Sequence, residues 1–319
     1  MTARLRRGAG VFRLDERRIR PGASSDHPNT MKSRHILTLL ALPLAGALLA
    51  ADTPPVVGNV NVTSGGALQE EKPVGAYGQP EWVKSRRFST TRVHLQRDPW
   101  EWAAEQWWRG RFYDGGENIS RFQTELELGL PYRLQFDLYE VYQYTEGDWS
   151  HDYVSAELRW ALGDWDAIPL NPTLYFEYKF TEDGADVIEP KILLGGDFGT
   201  GWHWGLNFAF EGETGGEHTQ EWAVSGGISK TIIDEVLSVG LEAKYSYESV
   251  ESARSDGESV FIIGPSVQWR PASNIHLDLV GLAGLTDDSP NVEGWLVFGI
   301  DFGGDSVSRG GYTPTTQRH

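Results

Sequence analysis

The chain has 319 residues, no cysteine and a formal net charge of −17, with 37 glycines and 38 Trp, Tyr and Phe residues. The absence of cysteine excludes a disulfide framework and a Cys-ligated metal site. The first 51 residues hold nine Lys/Arg and three Asp/Glu, a net of +6, which leaves −23 on the rest and argues against nucleic-acid binding, since phosphate contacts need clustered basic groups.

Residues 1–30 are Arg-rich and carry no apolar period, which reads as an unfolded upstream extension. Met31-Lys32-Ser33-Arg34 then precedes an apolar run, Ile36 to Leu49, ending on Ala50-Ala51. That is the build of a secretory signal peptide over 31–51 and makes Met31 the expected start. Residues 52–98, rich in Pro, Gly and Ser, are expected to form a flexible periplasmic segment, with one short strand near Phe88–Leu95 that could dock in or under a barrel built from the downstream residues.

From Pro99 to Phe302 a period of two repeats. The second segment sets Phe122, Leu126 and Leu128 against Arg121, Glu125 and Glu127, and the third sets Leu134, Phe136 and Leu138 against Arg133 and Asp137. Later segments oppose Leu158 and Trp160 to Glu157 and Arg159, Phe176 and Phe180 to Glu177 and Lys179, and Ile188 and Ile192 to Glu189 and Lys191. The same holds for Leu241 and Tyr245 against Glu242 and Lys244, for Val267 and Trp269 against Arg270, and for Leu277 and Leu279 against Asp278. In the first segment Arg109 and Arg111 stand opposite Trp108 and Phe112. No run in this region reaches the roughly 18 apolar residues of a transmembrane helix. The pattern predicts an all-β chain, a single antiparallel transmembrane β-barrel of about twelve strands over 99–302, with 303–319 as a flexible tail. Acidic connections such as Glu146–Asp152 and Glu182–Asp186 alternate with tighter turns, as loops and turns do on the two sides of such a barrel.

A soluble sandwich or lipocalin-like barrel would alternate too, with its oily face inward. Charges of both signs in mid-strand and aromatics near strand ends, such as Trp160, Trp202 and Trp269, favour a wet lumen and membrane girdles. On that reading the lumen is lined by Arg109, Arg111, Arg121, Glu125, Glu127, Arg133, Asp137, Glu157, Arg159, Glu177, Lys179, Glu189, Lys191, Glu242, Lys244, Arg270 and Asp278.

These strands, the end aromatics and the terminal Gly299-Ile300-Asp301-Phe302 resemble bacterial outer-membrane β-barrel proteins. Trp100–Arg111, Arg121-Phe122 and Arg133-Leu134-Gln135 are further similar to an uncharacterised group loosely allied to outer-membrane transporters. The resemblance implies a Gram-negative outer membrane, a surround of lipid and lipopolysaccharide, and handling by the barrel-assembly machinery, which reads a final aromatic. Here Gly303–His319 follows that aromatic, a departure from the pattern.

The expected task is passage of small polar solutes, leaning to cations because the full inner faces, which add Glu101, Glu105, Glu211, Glu221, Glu248 and Glu293 to that lumen set, carry more carboxylates than basic groups. A closed structural or binding barrel is the alternative. An enzyme is not expected: no His has Ser two residues on, although His276-Leu277-Asp278 puts an imidazole and a carboxylate on one face. No cofactor or resident metal is expected. The acidic loops around Asp186 and Asp287 read first as solvated surface and second as divalent-cation ligands. Gly195-Gly196 and Gly226-Gly227 match no phosphate loop and are expected to bend strands.

Overall fold

The computed structural model describes residues 68–302. The expectations for 1–30, 31–51, 52–67 and 303–319 lie outside the described residues. Twelve antiparallel strands pair each with its neighbour, and β1 (Trp102–Phe112) closes the ring on β12 (Val292–Phe302). Between them run β2 (Ile119–Leu130), β3 (Leu134–Thr145), β4 (Asp148–Ala161), β5 (Thr173–Thr181), β6 (Val187–Asp197), β7 (Trp202–Glu213), β8 (Gln220–Ile233), β9 (Leu237–Ser249), β10 (Glu258–Ala272) and β11 (Ile275–Gly284).

Alternation decides which way each side chain points. Leu158, Phe176, Ile192, Phe208, Leu241 and Leu279 stand exposed on the outer wall, whereas Glu125, Asp137, Glu157 and Arg159 are fully buried inside. A soluble barrel would invert this. Trp102, Trp160, Trp202 and Trp269 ring the end that carries both barrel termini, and Phe112, Tyr144, Trp149, Phe180 and Trp222 ring the other. An apolar outer band between two aromatic girdles, around a charged interior, is the construction of an outer-membrane β-barrel.

Two connections differ from expectation. Glu146–Asp152 is not a loop: Glu146 and Gly147 make a tight turn at positive φ, and β4 already begins at Asp148. Arg133 belongs to the β2–β3 turn, at φ 62°, rather than to β3.

The larger correction concerns residues 68–98. The expected flexible periplasmic segment is instead folded inside the barrel. It contains a 3-10 turn, Gln69–Glu71, and one helical turn, Glu81–Lys84. Trp82, Val83, Phe88 and Val93 form a small buried core with Trp165 of the β4–β5 connection. Its polar groups reach β8 (Arg87 to Thr231, 3.3 Å), β9 (Thr90 N to Glu242, 2.7 Å), β7 (Arg92 N to Asn207, 2.8 Å), β3 (Gln96 N to Gln135, 2.8 Å) and β12 (Arg97 to Asp301, 2.6 Å). Only a segment within the ring can touch walls on all sides at once. Pro, Gly and Ser make such a segment irregular, but its arginines find buried carboxylates of the wall, among them Glu105, Glu125 and Glu127.

Candidate functional site: a stoppered lumen

The segment sits in the half of the lumen nearer the barrel termini. Arg86 is its anchor. Its Nε donates to Glu105 (2.8 Å), and its Nη2 to Glu125 (2.7 Å) and to Glu127. The planar fork of a guanidinium suits such a set of acceptors better than an ammonium does. Burial alone would lower the Arg86 pKa, but the Glu105, Glu125 and Glu127 carboxylates hold it well above the ordinary value. Arg86 keeps a left-handed φ of 55°, a strained conformation for a residue with a Cβ that this side-chain clamp over-determines. The three carboxylates place ligand atoms within 4.8 Å of one another, a spacing a metal could use, but the guanidinium occupies that space.

The rest of this half is wired to the segment. Arg97 donates to Glu127 (2.6 Å). Arg159 pairs with Asp137 (2.7 Å) and Glu157, and donates to Gln96 (2.6 Å). Glu242 accepts from Thr90 N and Thr90 Oγ1, both at 2.7 Å. Arg270 meets Glu81. Asp278 accepts from Gln268 (2.8 Å), which also donates to the carbonyls of Ser85 (2.7 Å) and Arg86 (2.8 Å). His276 bridges Asp278 (2.7 Å) and Glu105 (3.3 Å), so this pair supports the anchor rather than standing apart as an acid/base couple.

Glycines make the room. Gly195 pairs with Gly205, and Gly205 with Gly227, in one row across β6, β7 and β8. Phe88 lies against Gly227, and Val93 against Gly195 and Gly205. The register runs without a bulge along this row, and these glycines leave the space that the stopper fills.

Past the stopper, toward the longer loops, the inner face is less tightly covered. Lys179 pairs with Glu211 (2.7 Å) and Glu189 (2.9 Å), Lys191 with Glu189 (2.8 Å), and Lys244 with Glu221 (2.9 Å). Glu177 accepts from Ser155 and Tyr175, each at 2.6 Å. Arg111 pairs with Glu293 (2.6 Å), Arg121 with Asp152 (3.0 Å), and Arg109 lies over Trp295. Of the residues expected in the lumen, Arg133 alone is misplaced: in its turn it is a half-exposed rim residue, 3.4 Å from Asp164. Glu105, Glu293 and His276 lie on the inner face that alternation gives, and they join the site with Tyr139 and the segment's own arginines, which alternation does not single out. Glu105 was visible as an inner-face carboxylate; the segment carries no periodicity that could have placed Arg86. The acidic loops are partly spent on structure: Asp186 accepts from Tyr178 (2.9 Å) and Thr181 N (3.1 Å), and Asp288 from Ser259 N (2.9 Å).

Residues 175–297 match the family described as MetA-pathway of phenol degradation. No curated protein matches the sequence. Among solved structures, an outer-membrane channel from Pseudomonas putida F1 is similar at 12% identity, over 66% of this chain and 98% of that one, with a TM-score of 0.46. The NanC porin is similar at 10% identity, over 63% and 99%, with a TM-score of 0.46. The β domain of the Bordetella autotransporter BrkA is similar at 10% identity, over 64% and 100%, with a TM-score of 0.47.

Proposed function

We propose that this barrel is a gated channel for small polar solutes, shut in its resting state by residues 68–98. The observation that carries the reading is the division of the lumen. One half is filled by a segment held through ion pairs and hydrogen bonds rather than by a large apolar core. The other half is lined by half-buried charged side chains such as Arg109, Arg111, Arg121, Lys191 and Lys244. Polar docking is reversible in a way that burial of a continuous core is not, because water and ions can replace each contact.

The strand walls carry more carboxylates than cations, and the stopper supplies Lys84, Arg86, Arg87, Arg92 and Arg97. With the segment displaced, the pore therefore favours cations. The rival reading is a permanently closed structural barrel, favoured by the number of contacts that Arg86 and Arg97 make. A barrel-embedded hydrolase has only the His276–Asp278 pair behind it, and Glu105 and Gln268 already engage that pair.

Recording single channels from refolded protein in planar bilayers tests the proposal. Rare, brief openings are expected from the intact chain, and sustained current from a variant whose stopper is loosened. Silence from both, with the barrel folded, would leave the closed structural barrel.

A further inference from the structure

We propose that the half of the lumen beyond the stopper holds a binding subsite for a small organic monoanion with an apolar body, formed by the Arg109 guanidinium and the inner wall at Trp295. The inference rests on the channel reading only for the route by which a solute arrives.

Arg109 is the unusual cation of this lumen. Its Cζ lies 5.1 Å from the Trp295 ring centroid, and it makes no hydrogen bond or ion pair among the described residues. Its neighbours are all committed. Arg111 donates to Glu293 at 2.6 Å, and Arg121 contacts Asp152 at 3.0 Å. Glu293, the carboxylate facing Arg109, also accepts from Trp295 Nε1 at 2.8 Å. Arg111 and Arg121 face Arg109 with like charge, alongside Glu293 and Tyr153. The guanidinium thus keeps its N–H groups available in a locally positive setting, a fork matched to one carboxylate.

The second observation is apolar. Ile262, Val280 and Leu282 are buried on the inner wall of β10 and β11, with Val260 and Trp295 half-buried against them. Val280 pairs directly with Trp295, and Trp295 directly with Arg109 across β12 and β1. Trp107 closes the lower side, edge-on to Trp295 at 5.8 Å between centroids. This patch runs up to the one uncommitted guanidinium among the described residues. A carboxylate on Arg109 would lay its hydrocarbon part over Trp295 and Val260. Neither half of the site suits a bare inorganic anion or a neutral hydrocarbon as well as it suits both features in one molecule.

Calorimetric titration of the refolded full chain with benzoate, benzamide and acetate tests this. Benzoate is expected to bind at least about tenfold more tightly than either the neutral amide or the small acid, because each lacks one half of the recognition. Arg109→Gln should lower benzoate affinity to the level of benzamide, with Arg109→Lys intermediate. Val260→Thr should weaken benzoate while leaving acetate unchanged. Equal binding of benzoate and acetate to the unaltered protein overturns the subsite without recourse to any variant, as does full benzoate affinity in a folded Arg109→Gln protein. Benzoate selectivity in a barrel that never conducts would retire the channel reading and keep the subsite. Conduction without benzoate selectivity would do the reverse.

Discussion

Gly227 of the barrel wall and Phe88 of the stopper are fitted to each other: a Cβ built on Gly227 would fall 2.5 Å from Cδ1 of the Phe88 ring. Neither can enlarge without moving the other. Gly227→Val is therefore expected to push Phe88 out of its seat. Overpacking of this kind costs about 1–3 kcal/mol and would raise the undocked population by about five- to 150-fold. The native chain has no cysteine, so Ser89→Cys gives a single reporter, and Ser89 is buried with no partner for its hydroxyl. Maleimide labelling of that cysteine should accelerate in the Gly227→Val background. Adding Phe88→Ala should return it to the rate of Phe88→Ala alone. An unchanged rate in Gly227→Val would show that the segment does not rest on this wall.

The Arg86 anchor gives a second expectation. Arg86→Gln leaves Glu105, Glu125 and Glu127 buried around an uncharged amide. Removing one partner from a buried ionic cluster costs about 3–5 kcal/mol, because the remaining charges stay desolvated and repel. The lost attachment should make the bond after Lys84 sensitive to trypsin in folded barrels that are resistant when Arg86 is present. Arg86→Lys should be intermediate, since an ammonium cannot fork across three carboxylates. Resistance of Arg86→Gln equal to that of the native chain would move the anchor elsewhere.

The barrel itself was legible because lipid outside and charge inside impose a strict period of two, and Phe176-Glu177-Tyr178-Lys179-Phe180 states that rule without exception. Where a residue's type opposes its position, the rule fell silent. Tyr139 and Val141 point inward and Glu140 outward, where Tyr142 donates to it at 3.0 Å beside a register shift. Val280 and Leu282 also face the lumen, an apolar patch invisible to a scheme that sends every aliphatic side chain to lipid. The stopper was illegible for a different reason. Its order comes from pairing with residues more than a hundred positions away, such as Thr90 with Glu242, and no local spacing encodes that. Gly195, Gly205 and Gly227 could have hinted at it, as three inward positions with no side chain in a row that only pairing brings together.

Charge balance yields a third expectation. The stopper places Lys84, Arg86, Arg92 and Arg97 among Glu101, Glu105, Glu125 and Glu127, while Arg87 pairs with Glu70 of the stopper itself. Removing residues 68–97 strips those cations and leaves the wall carboxylates facing water. Reversal potentials across a potassium chloride gradient should then show cation preference, fading as salt rises and the Debye length shrinks from about 10 Å at 0.1 M. An anion-preferring open barrel would mean that the Arg109, Arg111 and Arg121 cluster at the far end, rather than the glutamates, sets selectivity.

Acid should loosen the stopper through His94. Its imidazole is buried, edge-on to Trp165 at 5.5 Å between centroids. Burial pushes its pKa down to about 4 from 6.5, with the Gly163 backbone and the Asp164 carboxylate offsetting part of the shift. The docked state thus holds His94 neutral, while the released segment binds a proton near the ordinary value. Stability from this group is complete above about pH 6.5 and is lost as pH falls toward about 4, a change of up to about 3 kcal/mol at 1.36 kcal/mol per pKa unit. Channel openings should therefore become more frequent between pH 7 and pH 4.5. His94→Phe keeps an aromatic ring against Trp165 and has no proton to take up, so its openings should vary much less across the same interval. A native chain that closes more firmly on acidification, or a His94→Phe protein with an undiminished response, would assign the acid sensitivity to the glutamate cage around Arg86 instead.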